Sequence, residues 1–167
     1  MTGAIARGGA ERQMIALTDG LLNNGFQVEV FELQGIVPGQ ASFADELIAR
    51  GVKSRRANDD DEFAAIDDCG LGPFASLLPT NIARICAAFA QAISEFQPRV
   101  VHGWSDFSNV VGGFVATKMG VERIVLAQRA FPPPFWYDAP HAEFYREAYL
   151  SLCANPAVVL LNNSAAS

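Results

Sequence analysis

The sequence predicts an α/β fold, a doubly wound parallel sheet wrapped by helices, on three observations. Short β-rich runs alternate with helix-period segments along the chain. One β-run, Ile124-Val125-Leu126-Ala127, is continuously apolar, as a strand covered on both faces requires. Glycines stand where the helical patterns stop. With 167 residues the chain fits one domain, able to bury about two-thirds of its unfolded surface.

Each element has its own signal. A helix is predicted over 9–23, with Met14, Leu17 and Leu21 at helical spacing and Gly25 as a left-handed stop. Residues 27–33 alternate as a strand, 43–50 form a short helix closed by Gly51, and 52–56 read as a weak edge strand. Residues 57–79, with an acidic run and three Pro or Gly breakers, read as a long loop. The strongest helix opens at Pro79-Thr80, with Thr80 as the cap. Ile82, Ile85, Phe89, Ile93 and Phe96 share its inner face, and Pro98 stops it. A strand at 99–103, a helix at 108–119 ended by Gly120 and a strand at 122–127 follow. After the Pro-rich aromatic loop 131–137 come a helix at 141–152, with Phe144, Tyr145, Ala148 and Tyr149 on one side, and a last strand at 157–161.

The helix at Gly9 needs a strand before it, and only Met1-Thr2 precede the loop. The first strand is therefore expected to be truncated, with the strand order 3-2-1-4-5-6 when it is counted as first. Met1-Thr2 are expected to pair near the carboxyl end of the central slot, because a central gap would leave facing rows of unpaired backbone groups. At the other end, Asn163-Ser164 read as the turn into a further helix.

Net charge is −6, which argues against a nucleic-acid partner, since phosphate binding needs clustered Lys and Arg. The one basic cluster, Arg50, Lys53, Arg55 and Arg56, is followed by an acidic run and reads as a solvated helix end. Cys69, Cys86 and Cys153 lack metal-ligand spacing and read as reduced thiols of a cytoplasmic protein; no metal and no cofactor is expected. No apolar run approaches the ~20 residues of a membrane span, and the N-terminus lacks signal-peptide regions. Peripheral contact with the inner face of a membrane stays open, although no basic amphipathic helix argues for it.

In such a sheet, ligands bind beyond the carboxyl ends of the strands. Four loops qualify, and those ending in Gly9, His102 and Arg129 are expected to converge on one edge. Gly8 and Gly9 let a backbone approach a ligand closely at a helix N-terminus, whose free N–H groups favour an anion; the same loop reads equally as a tight packing turn. His102 could bond a sugar hydroxyl or phosphate, and Trp104 could offer a face to a sugar ring; both read equally as packed residues. Arg129 could hold a diphosphate or carboxylate, or pair with Glu11 or Asp106 as structure. Asn163 and Ser164 could bind hydroxyls, or cap a helix. No Ser/His/Asp order, Cys/His pair or metal spacing stands out, so no catalytic residue is assigned.

The stretch Gly8-Gly9-Ala10-Glu11-Arg12-Gln13, then a helix, then Asn24-Gly25-Phe26-Gln27-Val28-Glu29-Val30 resembles the opening of GT-B-fold retaining glycosyltransferases of family 4. Val100-Val101-His102 and Leu160-Leu161-Asn162-Asn163-Ser164 resemble later strand motifs of that family, in the same order. The resemblance implies a Rossmann-like N-terminal domain, the acceptor-side half of a two-domain enzyme. Such an enzyme moves a glycosyl group from a nucleotide diphosphate sugar to a sugar or lipid-linked acceptor. It implies that Gly8 and Gly9 approach the donor diphosphate. Arg129 stands near a position where some members carry a His facing the transferred sugar, which makes it a diphosphate or acceptor contact instead. His102, Trp104, Asn163 and Ser164 fall on the acceptor or sugar side. The family's C-terminal, nucleotide-sugar-binding domain with its paired glutamates has no counterpart in this sequence, so the chain alone is expected to be inactive. An accessory sugar-binding module of the same fold, or half of a sugar-nucleotide epimerase, are the rival readings.

Overall fold

The computed structural model describes residues 1–35, 41–57, 79–128 and 139–162. In chain order the elements are α1 (Gly9–Asn23), β1 (Glu29–Glu32), α2 (Ala44–Ala49), β2 (Lys53–Arg56), α3 (Thr80–Phe96), β3 (Val100–Gly103), α4 (Asp106–Lys118), β4 (Arg123–Gln128), α5 (Ala139–Cys153) and β5 (Val158–Asn162). The architecture is α/β, with two small parallel sheets, β1-β2 and β3-β4-β5.

Residues 1–3 join the two sheets. Thr2 pairs in parallel with Glu32: its N–H donates to Phe31 O at 3.0 Å, and Leu33 N–H donates to its carbonyl at 3.0 Å. On the other side the Met1 ammonium donates to His102 O at 2.7 Å. The backbone order is thus β2, β1, residues 1–3, β3, β4, β5, with the short first segment near the carboxyl end of the centre, as expected.

Alternation along β1 divides the core. Val30 enters an apolar cluster with Ile5, Met14, Ile15, Phe43 and Leu47 beneath α1 and α2. Phe31 and Leu33 enter the larger cluster with Phe89, Val115, Ile124 and Leu126 beneath α3, α4 and α5. Helices therefore pack on both sides of β1, around two small parallel sheets where one continuous doubly wound sheet was expected. The C-terminal turns of α1, α2 and α4 close through Gly25, Gly51 and Gly120, all at positive φ, where a Cβ would be strained.

Four expectations are corrected. Thr80 does not cap α3: Pro79 holds the N-cap position in extended backbone and Thr80 is already helical. Helix α4 begins two residues earlier than its apolar period suggests, because Ser105 and Ser108 organise its start. The inner face of α1 is Met14, Ile15 and Thr18, while Leu17 is exposed. Phe144 points to solvent, 59% exposed, while Tyr149 is buried. The expected loop at 57–79 falls almost wholly outside the described residues.

Two members of the basic cluster, Arg50 and Arg55, are consumed locally. Arg50 donates to both carboxylate oxygens of Asp19, and Arg55 pairs with Glu29 and Glu95, tying β2 to β1 and α3. Hydrogen bonding from Arg50 and Arg55 holds the Asp19 and Glu95 carboxyls below their usual range.

Candidate functional site

Because the strands of each sheet are parallel, their carboxyl ends share an edge. Gly3 shows that the two sheets share the same one: a Cβ there would lie 3.8 Å from Gln34 Oε1, just past β1, and 3.8 Å from Ser105 Oγ, just past β3. From this point the chain runs into the glycine-bearing loop. Ile5 N–H donates to Glu32 Oε2 at 3.0 Å, and Ile5 O accepts from Phe43 N–H at 3.0 Å. Arg7 N–H donates to Ala41 O at 2.9 Å, and its guanidinium lies over the Phe43 ring. The loop is therefore pinned on both sides before α1 begins.

Gly8 is the N-cap of α1, in extended backbone, and no side chain caps the helix. A Cβ on Gly8 would fall on the Glu11 carboxylate, so Glu11 has folded back over the helix start, where its charge suits the dipole. A Cβ on Gly9 would meet nothing within 4 Å. The Glu11 carboxylate is the tip of a flexible side chain and can move, so packing inside the described chain requires a glycine at neither position.

His102 lies on β3, the residue before its last, on the same edge. It is half-buried, and its ring stacks on Trp104 with centroids 4.5 Å apart. Trp104 is only 4% exposed and belongs to the apolar cluster under α1 and α2, so it offers no face to a sugar ring in this structure. Gln128 ends β4 at the same edge, opposite Asn162 of β5. Arg129, Asn163 and Ser164 lie outside the described residues. Gly9 and His102 thus meet at one edge, and the strands that lead to Arg129 and Asn163 end there too.

Two polar groupings at this edge were not anticipated. The first is Glu32, a carboxylate only 7% exposed at the end of β1, which accepts from Ile5 N–H and from Ser54 Oγ at 3.2 Å. It fixes the glycine-bearing loop to the sheet. The second surrounds the start of α4. Ser108 Oγ accepts from the N–H groups of Trp104 (3.1 Å) and Ser105 (3.0 Å). The fully buried Asn109 donates through Nδ2 to Ala127 O and to Tyr149 Oη, both at 3.0 Å, and Tyr149 Oη donates to Asp106 Oδ1 at 2.7 Å. Burial, above all, pushes the Tyr149 phenol above its ordinary value, so it stays protonated and keeps donating. The Ser-x-x-Ser spacing was the only sequence signal for this network.

Removing the hydroxyl alone tests it. Tyr149→Phe is expected to cost about 1–3 kcal/mol, the range for a buried hydrogen bond whose partner is left short. Urea unfolding of both chains measures it, and unchanged stability would show that the hydroxyl only fills space.

Among the described residues no group of three or more His, Cys, Asp or Glu could hold a metal ion. Cys86 is buried, Cys153 is exposed, and neither is in a disulfide, while Cys69 lies outside the described residues. Among those residues no helix is long and apolar enough to cross a membrane. No family model matches the chain, and a search of curated proteins finds no match.

Proposed function

We propose that this chain is the acceptor-side, Rossmann-like half of a GT-B retaining glycosyltransferase. In this reading it works in the cytoplasm with a separate nucleotide-sugar-binding domain. The observation that carries the reading is the start of α1: a helix N-terminus without a side-chain cap, opened by Gly8-Gly9-Ala10-Glu11-Arg12, on the shared carboxyl edge of the strands, with open space over Gly9. As a glycosyl group leaves a nucleotide diphosphate, negative charge grows on the diphosphate, and backbone N–H groups fixed at a helix start stabilise it without reorganising. In this reading Glu11 swings away when the diphosphate arrives, and Arg129 adds a cation from the end of β4. His102, stacked on the buried Trp104, shapes the floor, and Asn163 and Ser164 contact the acceptor.

The test uses backbone amide resonances of the 167-residue chain titrated with uridine and guanosine diphosphates. Weak binding, in the millimolar range, is expected, with the largest shifts at residues 8–12. Gly9→Ala should weaken it at least about fivefold, which is ~1 kcal/mol. The same change should leave stability equal or slightly higher, since alanine is the better helix former and has room. Shifts centred elsewhere would remove the proposed site. Sub-micromolar binding would place the donor site in this half and reverse the assignment.

A further inference from the structure

The glycine-bearing loop changes partners before it reaches α1. As far as Gly3 the chain runs beside β1, with Gly3 O accepting from Gln34 N–H at 2.7 Å. From Ile5 it runs antiparallel to residues 41–43. Ala6 bridges Ser42, Arg7 N–H donates to Ala41 O, and Ile5 O accepts from Phe43 N–H. In a continuing antiparallel ladder Ile5 N–H would donate in return to Phe43 O. That carbonyl is already engaged, because Phe43 is the N-cap of α2 and accepts from Leu47 N–H at 3.1 Å. Ile5 is fully buried, and a buried N–H left without an acceptor is costly.

Glu32 supplies the acceptor that the backbone cannot. Its Oε2 accepts from Ile5 N–H at 3.0 Å and its Oε1 from Ser54 Oγ at 3.2 Å. Ser54 stands on β2, so a single side chain at the end of β1 ties the loop to both strands of this sheet. The carboxylate is thereby seated where the loop turns away from one partner and towards the next.

We infer that Glu32 is the positioning residue for the backbone N–H groups that open α1. This role rests on the reading above, in which those groups meet a diphosphate. No side chain caps them, so their aim is set by the backbone that leads to them from Ile5. Without the carboxylate Ile5 keeps its carbonyl bond alone, and the chain from Ile5 to Gly9 leaves the sheet at another angle. Glutamine preserves the geometry, since its amide oxygen accepts from Ile5 N–H and its NH₂ donates to Ser54 Oγ; alanine does not.

The experiment follows backbone amide resonances of the parent chain, Glu32→Ala, Glu32→Gln and Ser54→Ala, each folded and titrated with uridine diphosphate. Glu32→Ala is expected to weaken binding at residues 8–12 by at least about fivefold and to speed amide exchange at Ile5 by at least about tenfold. Glu32→Gln stays within about twofold of the parent in both. Ser54→Ala changes an exposed position on β2, removes the second anchor of the carboxylate and weakens binding by about two- to threefold. It decides the question if Glu32→Ala does not fold. A Glu32 that served stability alone would leave the affinity of the folded variants at the parent value, and that result overturns the role while the functional reading stands. Equal loss in Glu32→Gln and Glu32→Ala overturns it too, because glutamine keeps the bond to Ile5. Absence of nucleotide shifts at residues 8–12 in the parent removes the functional reading, and this role with it.

Discussion

Lowering the pH from 8 to 5 is expected to destabilise the 167-residue chain by about 3 kcal/mol through its amino terminus alone, at ~1.4 kcal/mol per pKa unit with the group half-titrated at each end of the window. Burial lowers the pKa of the Met1 ammonium from 8.0 to about 5 in the folded state. Between these values the unfolded chain binds the proton and the folded chain does not, so stability rises with pH across the window and levels off above 8. The physical cause is a charge enclosed between two sheets with one carbonyl, His102 O, as its described hydrogen-bond partner. Urea unfolding at intervals from pH 5 to 8 measures the slope. A chain carrying a few added residues before Met1 keeps every side chain and replaces the ammonium by a peptide N–H, so the difference in slope between the two curves belongs to Met1. Parallel curves would show that the ammonium keeps its ordinary pKa. The exposed carboxylates Asp19, Glu95 and Glu122, lowered by their arginine partners, act in a separate window. Their contribution is present above their usual range and is lost at still lower pH.

Gly103→Ala is the second large effect. The added methyl would fall on Asn109 Oδ1 and lie 3.1 Å from Asn109 Cα, and the backbone of α4 cannot swing aside as a side-chain tip can. Asn109 is itself held by Ala127 O and Tyr149, so relief on one side breaks bonds on the other. Overpacking of this kind costs about 1–3 kcal/mol, and the lost Asn109 bonds put the expected value near the top of that range, a fall in melting temperature of roughly 5–10 °C. Differential scanning calorimetry beside Gly9→Ala gives the contrast, because the same atom added at Gly9 meets nothing. If both variants melt like the parent, the α4–β3 contact is looser than a 3.1 Å approach to Asn109 Cα requires.

The order and direction of the elements were legible because each follows from local chemistry: helical spacing in α3, the apolar run of β4, and glycines at the left-handed ends of three helices. The need for residues 1–3 at the centre was legible too, since βαβ geometry demands a strand before α1. What sequence could not supply was the partner of each polar side chain. Asp106, Asn109 and Tyr149 lie up to 43 positions apart and meet only once α5 packs on α4. The burial of Trp104 depends on α1 and α2 closing over it, which no local pattern encodes. Glu32 reads as an exposed end of an alternating strand, yet the loop and Ser54 enclose it. Of the candidate site, the place of Gly8 and Gly9 at the start of α1 was legible, whereas the fold-back of Glu11 was not.

The hook made by residues 1–3 has a consequence for the chain's birth. Met1 and His102 are 101 positions apart. A ribosome adding ~5–20 residues per second needs about 5–20 s to make that span. Residues 1–3, the apolar Met1 side chain included, must therefore wait until β3 has been synthesised and has left the exit tunnel. Translation speed over the intervening hundred codons sets how long the two sheets exist unjoined.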